Sequence, residues 1–134
     1  MKKIVSLFPG IIFFLSLLSC NPDHQLEKSL DGTWLVVTST DPEYDNLISA
    51  EFEFLDCPNS EPSCAGLKTV IEVNSSGDTT TTARPFDWVI NEEVLQIIYF
   101  DDIEEHYVIE SLNSSTMLLK DFFSDYTYNL ERID

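Results

Sequence analysis

The 134-residue chain is long enough for one domain and hardly for two, so a single hydrophobic core is expected. It carries 24 Asp and Glu residues against seven Lys and Arg residues, which gives a net charge of −17. Such a surface repels nucleic acid and anionic lipid headgroups, and we expect neither as a binding partner.

The N-terminus has the features of an export signal. Residues 1–3 are Met-Lys-Lys, and residues 4–18 form an almost uninterrupted apolar run. This run is shorter than the ~20 residues that a transmembrane helix needs, which makes a transmembrane anchor the weaker alternative. We therefore expect residues 1–19 to be a signal peptide.

The apolar run ends in Leu17-Leu18-Ser19-Cys20, which resembles the lipobox of bacterial lipoproteins. The resemblance implies cleavage after Ser19 and a lipid on Cys20, whereas an ordinary signal peptide is the alternative. Two or more acyl chains hold a protein stably on a membrane. The expected location is the cell envelope, as a lipid-anchored protein of the outer membrane of a Gram-negative bacterium, facing the periplasm or the surface. The polar residues 20–29 would then tether the domain.

Two further cysteines, Cys57 and Cys64, flank a polar loop that contains two prolines. In an exported chain the remaining even number of cysteines suggests a disulfide. Closing so short a loop contributes only roughly 2.5 kcal/mol, so the bridge is expected to fasten the loop rather than to hold the fold together. A metal site is a poor alternative because His24 and His106 lie far away in the sequence. No metal or other cofactor is expected.

The acidic run at residues 101–105 raises a calcium hypothesis, because hard cations prefer clustered carboxylates. However, the run lacks ligands at alternate positions and a glycine for a sharp turn, and it lies between two strand-like segments. A solvated hairpin tip is the preferred interpretation. Since the sequence also lacks Ser-His-Asp, Cys-His and metal-ligand spacings, we do not expect an enzyme.

From Gly32 onward, residues typical of β-strands alternate with polar ones and are interrupted by turn-like clusters. The predicted strands are residues 33–39, 49–56, 67–74, 79–90, 94–100, 106–111, 116–122 and 126–133. Arg84-Pro85 indicates an interruption or a strand edge within the fourth of them. Residues 46–48 are the one place where a small helix is expected.

The period of two also predicts which side chains face the core. In the first strand the predicted inner face consists of Trp34, Val36 and Thr38. In the third strand the predicted inner face consists of Leu67, Thr69, Ile71 and Val73. Lys68 is accordingly expected on the outer face.

About eight short strands joined by tight turns predict an all-β fold. We expect an up-and-down antiparallel meander that closes into a barrel, because closure leaves no unpaired strand edge. An open β-sandwich built from the same strands is the alternative.

The order and spacing of several motifs resemble the small bacterial lipocalin-like lipoproteins of the calycin superfamily. The motifs are Leu30-x-Gly32-Thr33-Trp34, Phe86-Asp87-Trp88-Val89-Ile90 and Tyr128-x-Leu130-x-Arg132. The resemblance implies a lipocalin-like barrel over residues 30–134, in which Trp34, introduced by Gly32, plugs one end. It also implies that Arg132 packs across the Trp34 ring, a cation–π contact. Contact between these two residues is a test of barrel closure.

The resemblance further suggests a barrel that binds a small apolar or amphipathic ligand. Aromatic residues that could line such a cavity are Phe52, Phe54, Phe86, Trp88, Tyr99, Phe100 and Tyr107. The alternative is that these residues fill the core, in which case the protein is an interaction or accessory module with a protein partner in the envelope.

Overall fold

Nine elements of regular structure and one short 3₁₀ helix make up the part of the chain described by a computed structural model, residues 22–57 and 63–134. They are α1 (Pro22–Leu30), β1 (Gly32–Ser39), the 3₁₀ helix (Pro42–Tyr44), β2 (Leu47–Phe54), β3 (Cys64–Val73), β4 (Thr79–Asn91), β5 (Val94–Tyr99), β6 (Glu104–Leu112), β7 (Thr116–Asp121) and β8 (Thr127–Arg132). The predicted signal peptide and the lipid-attachment residue Cys20 lie outside the described residues. No described helix is long and apolar enough to cross a membrane.

The eight strands form a closed antiparallel barrel in the order of the sequence. Each strand pairs with the next, and β8 pairs back with β1, where Trp34 lies opposite Arg132. The predicted closed eight-stranded meander is therefore confirmed, and the open sandwich is wrong. Every strand has a neighbour on both sides for at least part of its length, which removes most sites for edge-to-edge aggregation.

The up-and-down order gives the barrel two different ends. The β2–β3, β4–β5 and β6–β7 connections lie at the same end as α1 and the start of β1, which we call the closed end. The β1–β2, β3–β4, β5–β6 and β7–β8 connections lie at the other end, which we call the open end.

Apolar side chains fill the barrel interior. Trp34, Trp88, Phe54 and Phe86 are the largest fully buried side chains. Phe54 contacts both Trp88 and Phe86 edge to face, with ring centroids 5.3 and 5.7 Å apart. Gly66 makes room for this packing, because a Cβ there would lie 2.2 Å from Phe86 Cε2. Aromatic pairs of this kind stabilise a core by about 0.5–1.5 kcal/mol beyond the area that they bury.

The segment predicted to be a tether is a helix for most of its length. In α1, Leu30 is fully buried and Leu26 packs against the core, so the helix lies on the closed end of the barrel. Asp23 in the first turn and Lys28 in the last turn match the helix dipole. The helix was not predicted because the segment is mostly polar. Its two leucines are four residues apart, however, and this spacing places both on one helix face.

A β-bulge corrects the predicted inner face of β1. The pairing with β8 shifts between Val36, which lies opposite Leu130, and Thr38, which lies opposite Asn129. An extra residue in one strand reverses the alternation beyond it. Thr38 consequently faces solvent, where its hydroxyl accepts a hydrogen bond of 3.0 Å from the Asn129 side chain.

The predicted faces of β3 are reversed. In the pairing with β2, Lys68 lies opposite Phe52 and Gly66 lies opposite Phe54. Directly paired residues of an antiparallel ladder point to the same face, and both phenylalanines are buried. The side chain of Lys68 therefore points into the barrel, whereas Leu67 and its alternate neighbours point outward.

The strand β4 continues through Pro85 without interruption. Arg84 pairs with Lys68 of β3, and Pro85 pairs with Leu67. The pairing of β4 with β5 begins only at Phe86, so Pro85 lies where a strand tolerates a missing N–H. Because Arg84 lies opposite Lys68, its side chain also starts from the inner face.

The β1–β2 connection differs from the prediction in one detail. The 3₁₀ helix occupies Pro42–Tyr44, whereas Leu47 and Ile48 already belong to β2. Asp41 caps this helix by accepting a hydrogen bond of 3.0 Å from the Glu43 backbone N–H. Proline at the first helical position and an aspartate cap are a typical helix start.

Candidate functional site: the open end of the barrel

The closed end is a dense plug around Trp34. The Arg132 guanidinium carbon lies 4.5 Å from the centre of the Trp34 ring. The guanidinium also donates hydrogen bonds to the backbone carbonyls of Ser114 and Ser29, each 2.8 Å long, and to that of Asp31. The indole N–H of Trp34 donates to the carbonyl of Leu30 at 2.8 Å. These contacts join α1, the first strand and the last strand.

Gly32 is required by this plug for two reasons. Its φ of 130° is in a region that L-residues rarely adopt. A Cβ at this position would also lie 2.2 Å from Arg132 Nη1. The glycine thus admits the guanidinium to the Trp34 ring.

Cys57 and Cys64 form a disulfide, with their Cα atoms 5.0 Å apart. Both residues are buried within the core cluster. Since Cys64 lies opposite Trp88 in the β3–β4 ladder, the bridge holds the start of β3 against the aromatic core.

The open end contains a cavity of about 600 Å³. Its walls combine tyrosines with charged side chains that converge from six elements and three connections. The lining residues are Asp41, Glu43, Tyr44, Lys68, Arg84, Ile103, Glu104, Glu105, His106, Tyr107, Asp121, Phe123, Tyr126 and Tyr128. This volume is within the range of about 300–1,000 Å³ that is usual for small-molecule sites.

The aromatic residues that the sequence suggests as cavity lining lie in three different places in the structure: the cavity wall, the packed core and an exposed turn. Tyr107 lines the cavity. The side chains that instead form the packed core are Phe52, Phe54, Phe86, Trp88 and Tyr99. Phe100 is wrongly placed by the sequence argument, because it is 76 % exposed in the turn after β5. The chain leaves the strand at Phe100, so the alternation no longer applies there.

A buried charge pair occupies the inner part of the cavity. Lys68 Nζ lies 3.7 Å from Glu105 Oε1. The ammonium also lies 5.0 Å from the centre of the Phe52 ring and 5.5 Å from that of Tyr44. Burial lowers the pKa of Lys68, but Tyr44 and Glu105 raise it by more, so that it stays above its ordinary value. Lys68 is a protonated ammonium at neutral pH.

Several tyrosine hydroxyls surround this pair. The Tyr107 hydroxyl donates to Glu105 Oε2 in a short hydrogen bond. The hydroxyls of Tyr44 and Tyr99 are buried and have no hydrogen-bond partner among the described residues. Burial, followed by the Glu105 carboxylate, raises the pKa of Tyr107 well above its ordinary value. Unpaired buried hydroxyls are uncommon because each costs about 1–3 kcal/mol.

Two further polar contacts border the cavity. Arg84 donates two hydrogen bonds to Asp101, of 3.0 and 3.2 Å, and its guanidinium carbon lies 4.0 Å from the centre of the Tyr99 ring. On the other wall, the Tyr128 hydroxyl donates to Asp41 at 2.7 Å. Asp101 thus belongs to an ion pair at a hairpin tip. Within the described ranges, no three His, Cys, Asp or Glu side chains converge to hold a metal ion.

Lys68 and Arg84 are the two cationic side chains of the cavity lining, and the sequence indicated the inward position of only one of them. Arg84 precedes Phe86 by two residues and so continues the predicted inward series of Phe86 and Trp88. Lys68 had no such signal, because only the register between β2 and β3 places it inside.

Solved structures with the same architecture are known. Japanin from Rhipicephalus appendiculatus bound to cholesterol has a TM-score of 0.58 at 13% identity, covering 78% of this chain and 76% of that one. A lipocalin-like protein from Bacteroides uniformis has a TM-score of 0.50 at 13% identity, covering 78% and 99%. An uncharacterized protein from Bacteroides eggerthii has a TM-score of 0.52 at 12% identity, also covering 78% and 99%. At this identity the likeness establishes a lipocalin-like fold and nothing finer.

Comparisons with the models of known protein families and with curated proteins find no match.

Proposed function

We propose that the protein is a lipid-anchored lipocalin-like protein of the cell envelope that binds a small amphipathic molecule in its open end. The observation that carries the binding proposal is the cavity of about 600 Å³ above a packed aromatic core. Because packed side chains fill the rest of the barrel, the ligand occupies only the open end. We assign no chemical reaction to the site.

The lining of the cavity supports an amphipathic rather than a purely apolar ligand. Tyrosine rings supply apolar surface, and Lys68, Arg84 and Glu105 supply charge. A ligand without polar groups would take water away from these charges without offering them a hydrogen bond, which is unfavourable. Japanin, which shares the fold, is described as bound to cholesterol; this supports the capacity of such a barrel to hold a small molecule.

A direct test is the titration of a fluorescent fatty acid into the mature chain, residues 20–134, made with Cys20→Ser so that it carries no lipid. We expect saturable binding at one site per chain. Phe123→Ala removes a cavity-lining ring and should weaken binding by about tenfold.

The matched control for this titration is Ile133→Ala, which removes an exposed apolar side chain, 49 % accessible, after β8 at the closed end. Its affinity should equal that of the unsubstituted chain. Absence of saturable binding by any amphiphile would refute the binding proposal.

The anchoring proposal depends on the sequence around Cys20. Metabolic labelling with a clickable fatty acid should mark the full-length protein and not its Cys20→Ser variant, which should also leave the membrane fraction. Protease treatment of intact cells would then distinguish a periplasmic from a surface-facing protein. Label on the Cys20→Ser variant would contradict lipidation at this residue.

A second candidate function is that of an envelope interaction module. It is favoured by exposed aromatic side chains in the turns of the open end, among them Phe100, Phe122 and Phe123. Exposed apolar patches commonly mark binding surfaces. Crosslinking in membranes followed by co-purification should capture one specific protein, and Phe122→Ala should reduce its yield if this candidate is correct.

A further inference from the structure

The strand β4 extends beyond its neighbour β5 at the open end of the barrel. β4 has 13 residues and β5 has six, and the last pair of their ladder joins Phe86 to Tyr99. Among the described residues, those from Thr79 to Pro85 pair with β3 alone. Their other side is a strand edge without a neighbour, and residues 79–83 are exposed to solvent. We call residues 79–83 the free edge.

The free edge presents backbone hydrogen-bond groups to the solvent. At the hairpin end of the β3–β4 ladder, the Asn74 N–H donates to the Asp78 carbonyl at 2.8 Å. Hydrogen-bonded and non-hydrogen-bonded pairs alternate along an antiparallel ladder. Counting from this pair, the N–H and C=O groups of every second residue point away from β3, namely those of Thr79, Thr81 and Ala83.

The free edge lacks the usual protection against an added strand. Proteins protect exposed edges with charged residues, prolines or bulges. The β3–β4 ladder runs without a bulge, and residues 79–83 include neither a charge nor a proline. They consist of four threonines and an alanine, and threonine favours an extended backbone. Pro85, which has no N–H to offer, ends the available edge on the side nearest β5.

The β5–β6 turn places apolar surface beside the free edge. This turn follows Tyr99, and Arg84 holds it against β4 through an ion pair of 3.0 Å with Asp101. Within the turn, Phe100 is 76 % exposed and Ile103 is 51 % exposed. A strand added to β4 would lie above this turn, where its apolar side chains would cover exposed apolar surface.

The charge around the free edge is negative. Asp78 lies at one end of it and Asp101 and Asp102 at the other, and all three are exposed. Arg84 is already paired with Asp101. A positively charged partner is therefore attracted to this region. A second copy of the chain would instead bring the same aspartates and its own net charge of −17.

We propose that the free edge binds an extended, positively charged segment of a partner protein, which adds to β4 as a further strand. Backbone hydrogen bonds to Thr79, Thr81 and Ala83 hold this segment, and its lysine or arginine side chains meet the aspartates at the two ends. The free edge is outside the cavity lining, so the inference is independent of ligand binding. It rests on the second candidate function, for which it specifies the surface and the partner.

The first experiment titrates a strand-forming peptide into the isotope-labelled mature chain with Cys20→Ser. The peptide is Lys-Thr-Val-Thr-Val-Thr-Lys with acetylated and amidated ends. Nuclear magnetic resonance should show saturable shifts and slower hydrogen exchange of the Thr79, Thr81 and Ala83 amides. The same peptide with glutamate at both ends should bind at least about tenfold more weakly. No saturable shift with the lysine peptide, or equal binding of the glutamate peptide, would overturn the inference.

Thr81→Pro tests the hydrogen bonds from the side of the protein. The substitution removes an outward N–H and no hydrogen bond to β3, and it should weaken binding of the lysine peptide at least about tenfold. Thr81→Val is the matched control because it keeps the N–H, and its affinity should equal that of the parent chain. Equal affinities of the two variants would refute pairing through the β4 backbone.

Methylated peptides test the same hydrogen bonds without a change in the protein, and so remain decisive if Thr81→Pro does not fold. Methyl groups on alternate backbone nitrogens of the lysine peptide leave one of its edges free, and binding should persist. Methyl groups on all five central nitrogens block both edges, and binding should be lost. Equal affinities of these two peptides would show that backbone pairing does not hold the peptide.

Two further measurements separate this inference from its alternatives. The parent chain should remain monomeric in sedimentation equilibrium, and a dimer that Thr81→Pro dissociates would assign the free edge to a second copy instead. If crosslinking in membranes captures the same specific partner with and without Thr81→Pro, the second candidate function stands and only the free-edge inference fails. If no specific partner is captured, both fail.

Discussion

The two ends of this barrel both combine aromatic rings with a cationic side chain, but they differ in how completely the polar groups are hydrogen-bonded. At the closed end, a tryptophan and an arginine are joined to backbone carbonyls by hydrogen bonds, and the ring stacks below the guanidinium. At the open end, tyrosines and a lysine are also largely buried, yet two tyrosine hydroxyls have no hydrogen-bond partner among the described residues. The comparison indicates that the closed end is built for stability and that the open end gives up some stability for a cavity.

The largest expected effect is at the closed end. Trp34→Ala should lower the free energy of unfolding by about 4 kcal/mol, because it leaves a large cavity and removes the surface on which Arg132 packs. Urea unfolding followed by circular dichroism measures this change. Phe123→Ala at the open end should cost less than about 0.5 kcal/mol. Similar losses in the two variants would contradict the contrast between the ends.

The disulfide should contribute the next largest effect. In the Cys20→Ser background, replacing Cys57 and Cys64 by serine should lower the free energy of unfolding by roughly 2.5 kcal/mol, because the unfolded chain regains the entropy of a short loop. Reductant added to the parent chain should reproduce the loss and have no effect on the double variant. A stability that does not respond to reductant would show that the bridge contributes nothing.

The tyrosines at the open end should make the free energy of unfolding decrease at alkaline pH. Burial raises the pKa of Tyr44, Tyr99, Tyr107 and Tyr128, so the folded protein holds these phenol protons more tightly than the unfolded chain. This stabilisation is complete below the ordinary pKa of about 10 and is lost as the pH rises above it. The raised pKa of Lys68 acts in the same direction.

Tyr99→Phe removes one of these groups. Between pH 10 and pH 11, urea unfolding should show about 1 kcal/mol less loss of stability in this variant than in the parent. Identical pH profiles for both proteins would mean that the Tyr99 proton is not held more tightly in the folded state.

The smallest effect concerns the β4–β5 turn, where Glu92 and Glu93 have φ values of 51° and 67°. Two successive positive φ angles form a hairpin turn that favours Asn-Gly. Replacing the pair by Asn-Gly should raise the free energy of unfolding by about 0.5–1 kcal/mol. The Gln-Gln variant removes the same charges but leaves side chains with a Cβ at both positive φ angles, so it should not gain this stability. An equal gain in both variants would assign the effect to charge.

Much of the architecture followed from strand alternation. The closed meander depends on strand order and a period of two, which the sequence displays directly. The contact between Trp34 and Arg132 was expected from the family resemblance instead. The inward and outward faces of β1 and β3 could not be predicted correctly in this way. The bulge before Thr38 and the register of Lys68 depend on neighbouring strands. A charged residue between apolar ones is normally assigned to solvent, and in β3 that rule fails at Lys68, which lines the cavity.

The structure of α1 affects how the barrel would stand on a membrane. Fully extended, nine residues can span about 30 Å, whereas the nine-residue α1 is only about 14 Å long and ends at Leu30 against the Trp34 plug. A lipid on Cys20, two residues before this helix, would therefore hold the closed end close to the bilayer. The entrance to the cavity would then point away from the membrane, and a ligand of the proposed kind would enter from the surrounding aqueous compartment.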